Sequence, residues 1–209
     1  MHPLCSTVWR MSQPATSLRD RKRRAVQDDL TLAAVDLFIS NGFDETPVER
    51  IAAAVGMSER TFFRYFASKD DVLEQLSARW RERTAELLAA RPTDEPAWTS
   101  MRRSLDAFVE AATPDAFTLP LLRLIYSTPK LYGRHMLNMR RWREMFADGL
   151  RARTPGTSEL TLKLRATMAV ACFEAARETW TESEGERPLA ELLDAAMAEV
   201  WPLQPAPAG

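Results

Sequence analysis

The side chains best equipped for chemistry lie between Arg60 and Lys69, in the run Arg60-Thr61-Phe62-Phe63-Arg64-Tyr65-Phe66. Arg60 and Arg64 are four residues apart, so on a helix they share a face. A guanidinium there offers a rigid fork of donors that matches a guanine edge or a phosphate, and Phe63 can meet a thymine methyl. A second concentration of charge comes earlier, where Arg19, Arg21, Lys22, Arg23 and Arg24 stand with only Asp20 against them. The formal net charge of the chain is −1. The basic footprint is therefore local, which is all that phosphate binding needs. Other chemistries have little to draw on. Two histidines (His2, His135) and two cysteines (Cys5, Cys172) form neither a metal-ligand cluster nor a disulfide framework. Cys172, inside an apolar run, reads as a small core residue. No nucleophile–base pairing, paired carboxylates or phosphate loop stands at telling spacing. No metal, no cofactor and no enzymatic activity are expected.

The elements that would position these residues are short. Thr46 precedes Pro47, an N-cap followed by proline at the first helical position. Val48, Ile51, Ala52 and Val55 then fall on one helical face. Gly56 ends that helix, and Ser58 caps a second one carrying Phe62 and Phe66 as its inner face. Two short helices joined by a glycine-containing turn are the sequence form of a helix-turn-helix, whose second helix enters the DNA major groove. Before it, Leu18 to Ser40 follows a helical pattern with Val26, Leu30, Ala33, Ala34, Leu37 and Phe38 inward. Its basic first turns read as an arm along the phosphates or into the minor groove.

The ordered set Gly42-Phe43, Thr46-Pro47-Val48, Ile51-Ala52, Val55-Gly56-Met57-Ser58, Thr61-Phe62-Phe63-Arg64-Tyr65-Phe66 and Lys69-Asp70-Asp71-Val72-Leu73 resembles the DNA-binding segment of the tetracycline-repressor (TetR) family. The resemblance covers roughly residues 18 to 75. It implies that Thr61, Tyr65 and Lys69 hydrogen-bond phosphates. Ser58 joins the DNA-facing candidates, and Thr46 is open to either a cap or a phosphate at a helix N-terminus. Arg60 stands where the family has a small residue, so it faces either a base or solvent.

The remainder predicts an all-α chain of about nine helices. Residues 1–17 read as a flexible tail, 18–68 as the helix-turn-helix head, and 69–205 as a ligand-binding and dimerisation body. Lys69-Asp70-Asp71 opens a long helix to about Arg91 that joins head to body. Helices follow over 97–113, 114–127, 129–153, 158–183 and 189–200, separated by Pro and Gly signals. The resemblance implies a pocket among the middle body helices. Methionine and tryptophan suit its adaptable, largely apolar wall. The candidate liners are Trp98, Met101, Phe108, Phe117, Leu121, Met136, Met139, Trp142 and Phe173, with Arg123, Tyr126, His135, Asn138 and Arg143 as possible polar contacts. Small residues on the alanine-rich 158–183 helix and leucines on the last helix predict a homodimer through these two helices.

The expected function is a homodimeric, ligand-responsive regulator of transcription. It is a repressor that leaves a palindromic double-stranded DNA operator when a mainly hydrophobic small molecule binds. Activation, regulation without a ligand and an all-helical enzyme are the alternatives. No apolar run approaches a membrane span, and the expected location is the cytoplasm.

Overall fold

The computed structural model describes residues 17–113 and 117–201. The expected tail through residue 16, with His2 and Cys5, lies outside the described residues. So do residues 202–209 and residues 114–116, which the sequence placed at the start of a helix. The described chain holds ten helical segments and no strand: α1 (Leu18–Asn41), α2 (Val48–Ala54), α3 (Glu59–Phe62), α4 (Lys69–Ala90), α5 (Ala97–Ser104), α6 (Asp106–Ala111), α7 (Thr118–Ser127), α8 (Pro129–Arg153), α9 (Glu159–Glu182) and α10 (Leu189–Val200). The expected single helix over 97–113 is interrupted only at Leu105, whose ψ of −5° unwinds one residue. With α5 and α6 taken as one broken helix, the architecture is the expected nine-helix, all-α one.

Local signals set most boundaries. Ser17, Ser58, Ser68 and Ser158 each accept a bond from the third residue of the helix they cap. Ala67 N–H, one residue before the cap, donates to Asp71 at 3.0 Å and ties the chain entering α4 to its first turn. Pro129 occupies the first turn of α8. Gly56, at φ +69°, makes the left-handed turn between α2 and α3.

Packing follows two main clusters and a seam. The head core gathers Leu30, Ala34, Phe38, Phe43, Ile51, Ala52, Phe62, Phe66 and Val72, and it includes Leu131 of α8. Leu124 and Ile125 of α7 pack against it as well. The body core runs from Leu88 through α5, α6, α8, α9 and α10. Gly149 of α8 lets α4 approach closely, since a Cβ there would collide with Leu88. Between them, Val35, Leu76 and Leu121 join α1, α4 and α7. Burial at this seam makes head and body share apolar surface that neither could hide alone.

Candidate nucleic-acid interface and body cavity

The helix-turn-helix presents one outward face. Phe62 and Phe66 turn inward with ring centroids 5.3 Å apart and pin α3 to the head core. The regular part of α3 is a single turn, and the chain continues to Phe66 in hydrogen-bonded turns from Phe62 O. Ser58, Arg60, Phe63 and Arg64 are exposed, while Thr61 and Tyr65 are half-buried. Ser58 Oγ accepts from Thr61 N–H at 3.3 Å and lies 3.0 Å from Thr61 Oγ1. Arg64 donates to Tyr65 Oη at 3.2 Å, and its guanidinium lies 5.1 Å from the Tyr65 ring centre. This stack holds the arginine in one orientation instead of leaving it to sweep solvent. Arg21, Lys22 and Arg23 are exposed on the first turns of α1, with Arg24 half-buried beside them.

Two of the proposed phosphate ligands have other work. Thr46 is fully buried, and its hydroxyl donates to Gly42 O at 2.7 Å. Pro47 occupies the N-cap of α2, and Thr46 makes no cap bond. The threonine thus closes the loop after α1 instead of facing an anion. Lys69 donates to the carbonyls of Phe43, Asp44 and Thr46 at 2.7, 3.1 and 3.1 Å. Its ammonium also sits 4.6 Å from the Phe43 ring centre. An ammonium has three N–H donors, and three carbonyls take them.

Behind the head lies a cavity of about 110 Å³ whose wall runs from the first turn of α4 to α9. Five of the nine expected liners border it: Phe108, Phe117, Leu121, Met139 and Trp142. The other four do not. Trp98 donates its indole N–H to Met197 O at 3.2 Å and packs on α10. Met101 and Phe173 are fully buried in the body core. Met136 faces outward and is exposed. Of the proposed polar contacts, His135 and Asn138 line the cavity, whereas Arg123 and Tyr126 border a separate shallow hollow. The sequence reading missed Leu73, Ser77 and Trp80 of α4, and Arg177 of α9. The usable signal for Arg177 was its spacing, four after Phe173 and three before Trp180 on a face that is otherwise apolar.

The cavity has a polar end. Glu174 accepts from Tyr126 Oη at 2.7 Å and lies 2.8 Å from His135 Nε2. Burial pushes the Glu174 carboxyl upward, but Arg177, His135 and Tyr126 outweigh it and hold the group at about 2. Burial, then the neighbouring Glu174, pushes Tyr126 well above its ordinary range against the pull of Arg177. Opposite, Asn138 donates to Ser77 and accepts from Arg81 at 2.9 Å. Cys172 is buried and donates to Ala196 O at 3.4 Å, the core role expected of it. Among the described residues no cluster suited to a metal ion occurs, and no helix is long and apolar enough to cross a membrane.

Comparison with known proteins places this architecture. Residues 30–76 match the model of bacterial regulatory proteins of the tetR family, and residues 95–203 match the MftR C-terminal domain. The chain is 33% identical over 168 residues to the HTH-type transcriptional regulator TcmR of Streptomyces glaucescens, covering 76% of this chain and 72% of that one. It is 27% identical over 202 residues to the putative mycofactocin biosynthesis transcriptional regulator MftR of Mycobacterium tuberculosis, covering 88% and 93%. Among solved structures, Thermus thermophilus FadR, a TetR-family repressor in complex with lauroyl-CoA, shares the fold at TM-score 0.55 and 24% identity over 88% of this chain and 98% of that one. The exposed reading helix, the glycine turn and these matches together establish that the chain belongs to the tetR family of bacterial regulatory proteins, as a DNA-binding regulator of transcription.

Proposed function

We propose that the protein is a homodimeric repressor that a mainly apolar small molecule releases from a near-palindromic operator. One observation carries this reading: the cavity wall and the head core share elements. Asp70, Leu73 and Glu74 line the cavity from the turns of α4 that directly follow the helix-turn-helix. Phe117, at the N-cap of α7, and Leu121 and Ile125 within it line the cavity, and Ile125 with Leu124 also packs on the head core. Leu131 of α8 lies at once on the cavity wall and in the head core. A ligand that fills the space displaces helices that carry the head. Ligand and DNA then compete through two head positions, and the coupling is reciprocal.

Division of labour falls between residues 68 and 69, with the head reading DNA and the body sensing the ligand. Arg60, Phe63 and Arg64 meet base edges, while Ser58, Thr61, Tyr65 and the basic turns of α1 meet the backbone. The acyl chain in the lauroyl-CoA complex of FadR supports a hydrophobic effector. A protein with this task works in the cytoplasm. Dimerisation uses the outer face of α9, where Leu160, Leu164, Ala171 and Ala175 are exposed at helical spacing, and of α10, where Ala195 and Ala198 are exposed.

The test is binding to DNA from the protein's own upstream region and to unrelated DNA at two salt concentrations. Specific binding is expected, and Arg64→Ala should relax sequence preference by ~1–3 kcal/mol. If neither this DNA nor a random-sequence selection yields a preferred site, the repressor reading fails.

A further inference from the structure

We infer that Arg177 is the receptor for an uncharged oxygen acceptor on an otherwise apolar effector, a carbonyl of ketone, ester, thioester or amide type. The inference rests on the cavity being the effector site. Arg177 lines that cavity and is only 5% exposed. Its Nε donor has no acceptor. Among the described residues the guanidinium makes no hydrogen bond or ion pair, and its close contacts are the rings of Phe173 at 5.0 Å and Phe108 at 5.6 Å. A planar cation laid on aromatic faces is held in place while its in-plane N–H groups stay unspent. The other acidic, basic and imidazole groups of the wall already have ion-pair or hydrogen-bond partners. Asp70 pairs with Arg134 at 3.2 Å, Glu74 with Arg141, and His135 with Glu174. The amide of Asn138 is engaged by Ser77 and Arg81. Asp70 Oδ1 also accepts no hydrogen bond, but it is ion-paired to Arg134 and Lys130. Among the described residues Arg177 is thus the charged group of the cavity with neither a hydrogen bond nor an ion pair.

The charge balance decides what kind of acceptor suits it. Glu174 lies three residues earlier on α9, and its oxygens are taken by Tyr126 and His135. It compensates the positive charge of Arg177 through the field without occupying its donors. Donors without net charge around them select an oxygen dipole. A carboxylate would gain the guanidinium but also face the buried Glu174 carboxylate. The surrounding rings of Phe108, Trp80 and Trp142 supply apolar contact to the rest of the molecule.

Three probes of nearly one shape separate these terms: benzophenone (a neutral carbonyl), diphenylmethane (the same skeleton with CH2 in place of C=O) and diphenylacetate (an anion). Equilibrium dialysis against the full-length protein measures each affinity. The wild type should bind benzophenone at least tenfold tighter than either of the others. Arg177→Met should bring benzophenone and diphenylmethane within about twofold of each other. Glu174→Gln should shift the preference toward diphenylacetate, because the guanidinium loses its compensating charge. If Arg177→Met misfolds, the double variant R177M/E174Q leaves no uncompensated buried charge and carries the same carbonyl readout. Equal binding of benzophenone and diphenylmethane by the wild type would overturn the inference. So would a persistent carbonyl preference without Arg177, or a wild-type preference for diphenylacetate. Binding without discrimination sinks this inference alone. No binding of any probe counts against the effector cavity itself, and the inference falls with it.

Discussion

At the scale of single residues, Arg64 and Tyr65 act as one unit. Arg64 donates to Tyr65 Oη and stacks on its ring, so each substitution disturbs both. Tyr65→Phe removes the proposed phosphate donor and also unties the arginine. The losses in operator affinity from Arg64→Ala and Tyr65→Phe should therefore fail to add, by ~0.5 kcal/mol or more in a double-mutant cycle. Additivity within experimental error would mean that the stack does not orient Arg64. Glu174 makes a different prediction, about pH. Its carboxyl is held at about 2, below the ordinary 4.5, because Arg177, His135 and Tyr126 outweigh the burial that would raise it. A depressed carboxyl stabilises the fold fully above 4.5 and loses that contribution as pH falls toward 2. The Glu174→Gln variant should be less stable than the wild type by about 2–3 kcal/mol at pH 7. The gap in urea midpoints should hold down to pH 5 and shrink between 4.5 and 3. A gap unchanged at pH 3 would assign the cost to packing.

Among the elements, the join between head and α4 is where the lysine expected at phosphates makes a structural tie. Lys69 ties the loop 43–46 to the start of α4 through three carbonyls. Lys69→Met leaves the part-buried carbonyls of Phe43 and Thr46 without this donor, which should cost ~1–3 kcal/mol of stability. A lysine that touched DNA would instead lower the salt slope of operator binding by ~1 on removal. The expected result is a lower unfolding midpoint and an unchanged salt slope. A changed slope with an unchanged midpoint would return Lys69 to the phosphates. The same join shows what the sequence could tell. Periodicity identified the inner faces of α1, α2 and α3, from Leu30 to Phe66, because burying those faces is a local property of the helix. Periodicity does not say which neighbour a face meets. Trp98 went to the α10 side, Met101 to the body core, and Phe108 and Met139 to the cavity wall, though all four are apolar residues on inward faces. Thr46 looked like a cap because its neighbours fit one, and only the loop's closure shows its hydroxyl spent on Gly42. Arg177 was hidden by the ordinary rule that charge faces water.

For the whole molecule, the proposed repressor reads its operator with two heads, and the outer face of α9 is suited to join them. A single head exposes three side chains proposed to meet bases, Arg60 on α3 and Phe63 and Arg64 in the turns just after it. Linking two such heads raises the affinity for a two-half-site operator by ~10²–10⁴ without any new contact. The outer face of α9 suits this, because Ala171 and Ala175 allow close approach while Leu160 and Leu164, 78% and 56% exposed, gain burial. Burying a leucine of this exposure contributes on the order of 1.5 kcal/mol per subunit. A glutamate at 164 would bring a charge to its symmetry mate across a two-fold axis, and both would lose water. Leu164→Glu should therefore be monomeric at micromolar concentration by sedimentation equilibrium. Its affinity for a two-half-site operator should fall at least a hundredfold, while weak binding to a single half-site persists. Leu137 provides the control. It is 69% exposed on α8, away from this face, and Leu137→Glu should leave both the sedimentation mass and operator binding unchanged. If Leu137→Glu dissociates the protein and Leu164→Glu does not, the subunits meet through α8, and the spacing of the heads is set by the cavity helices directly.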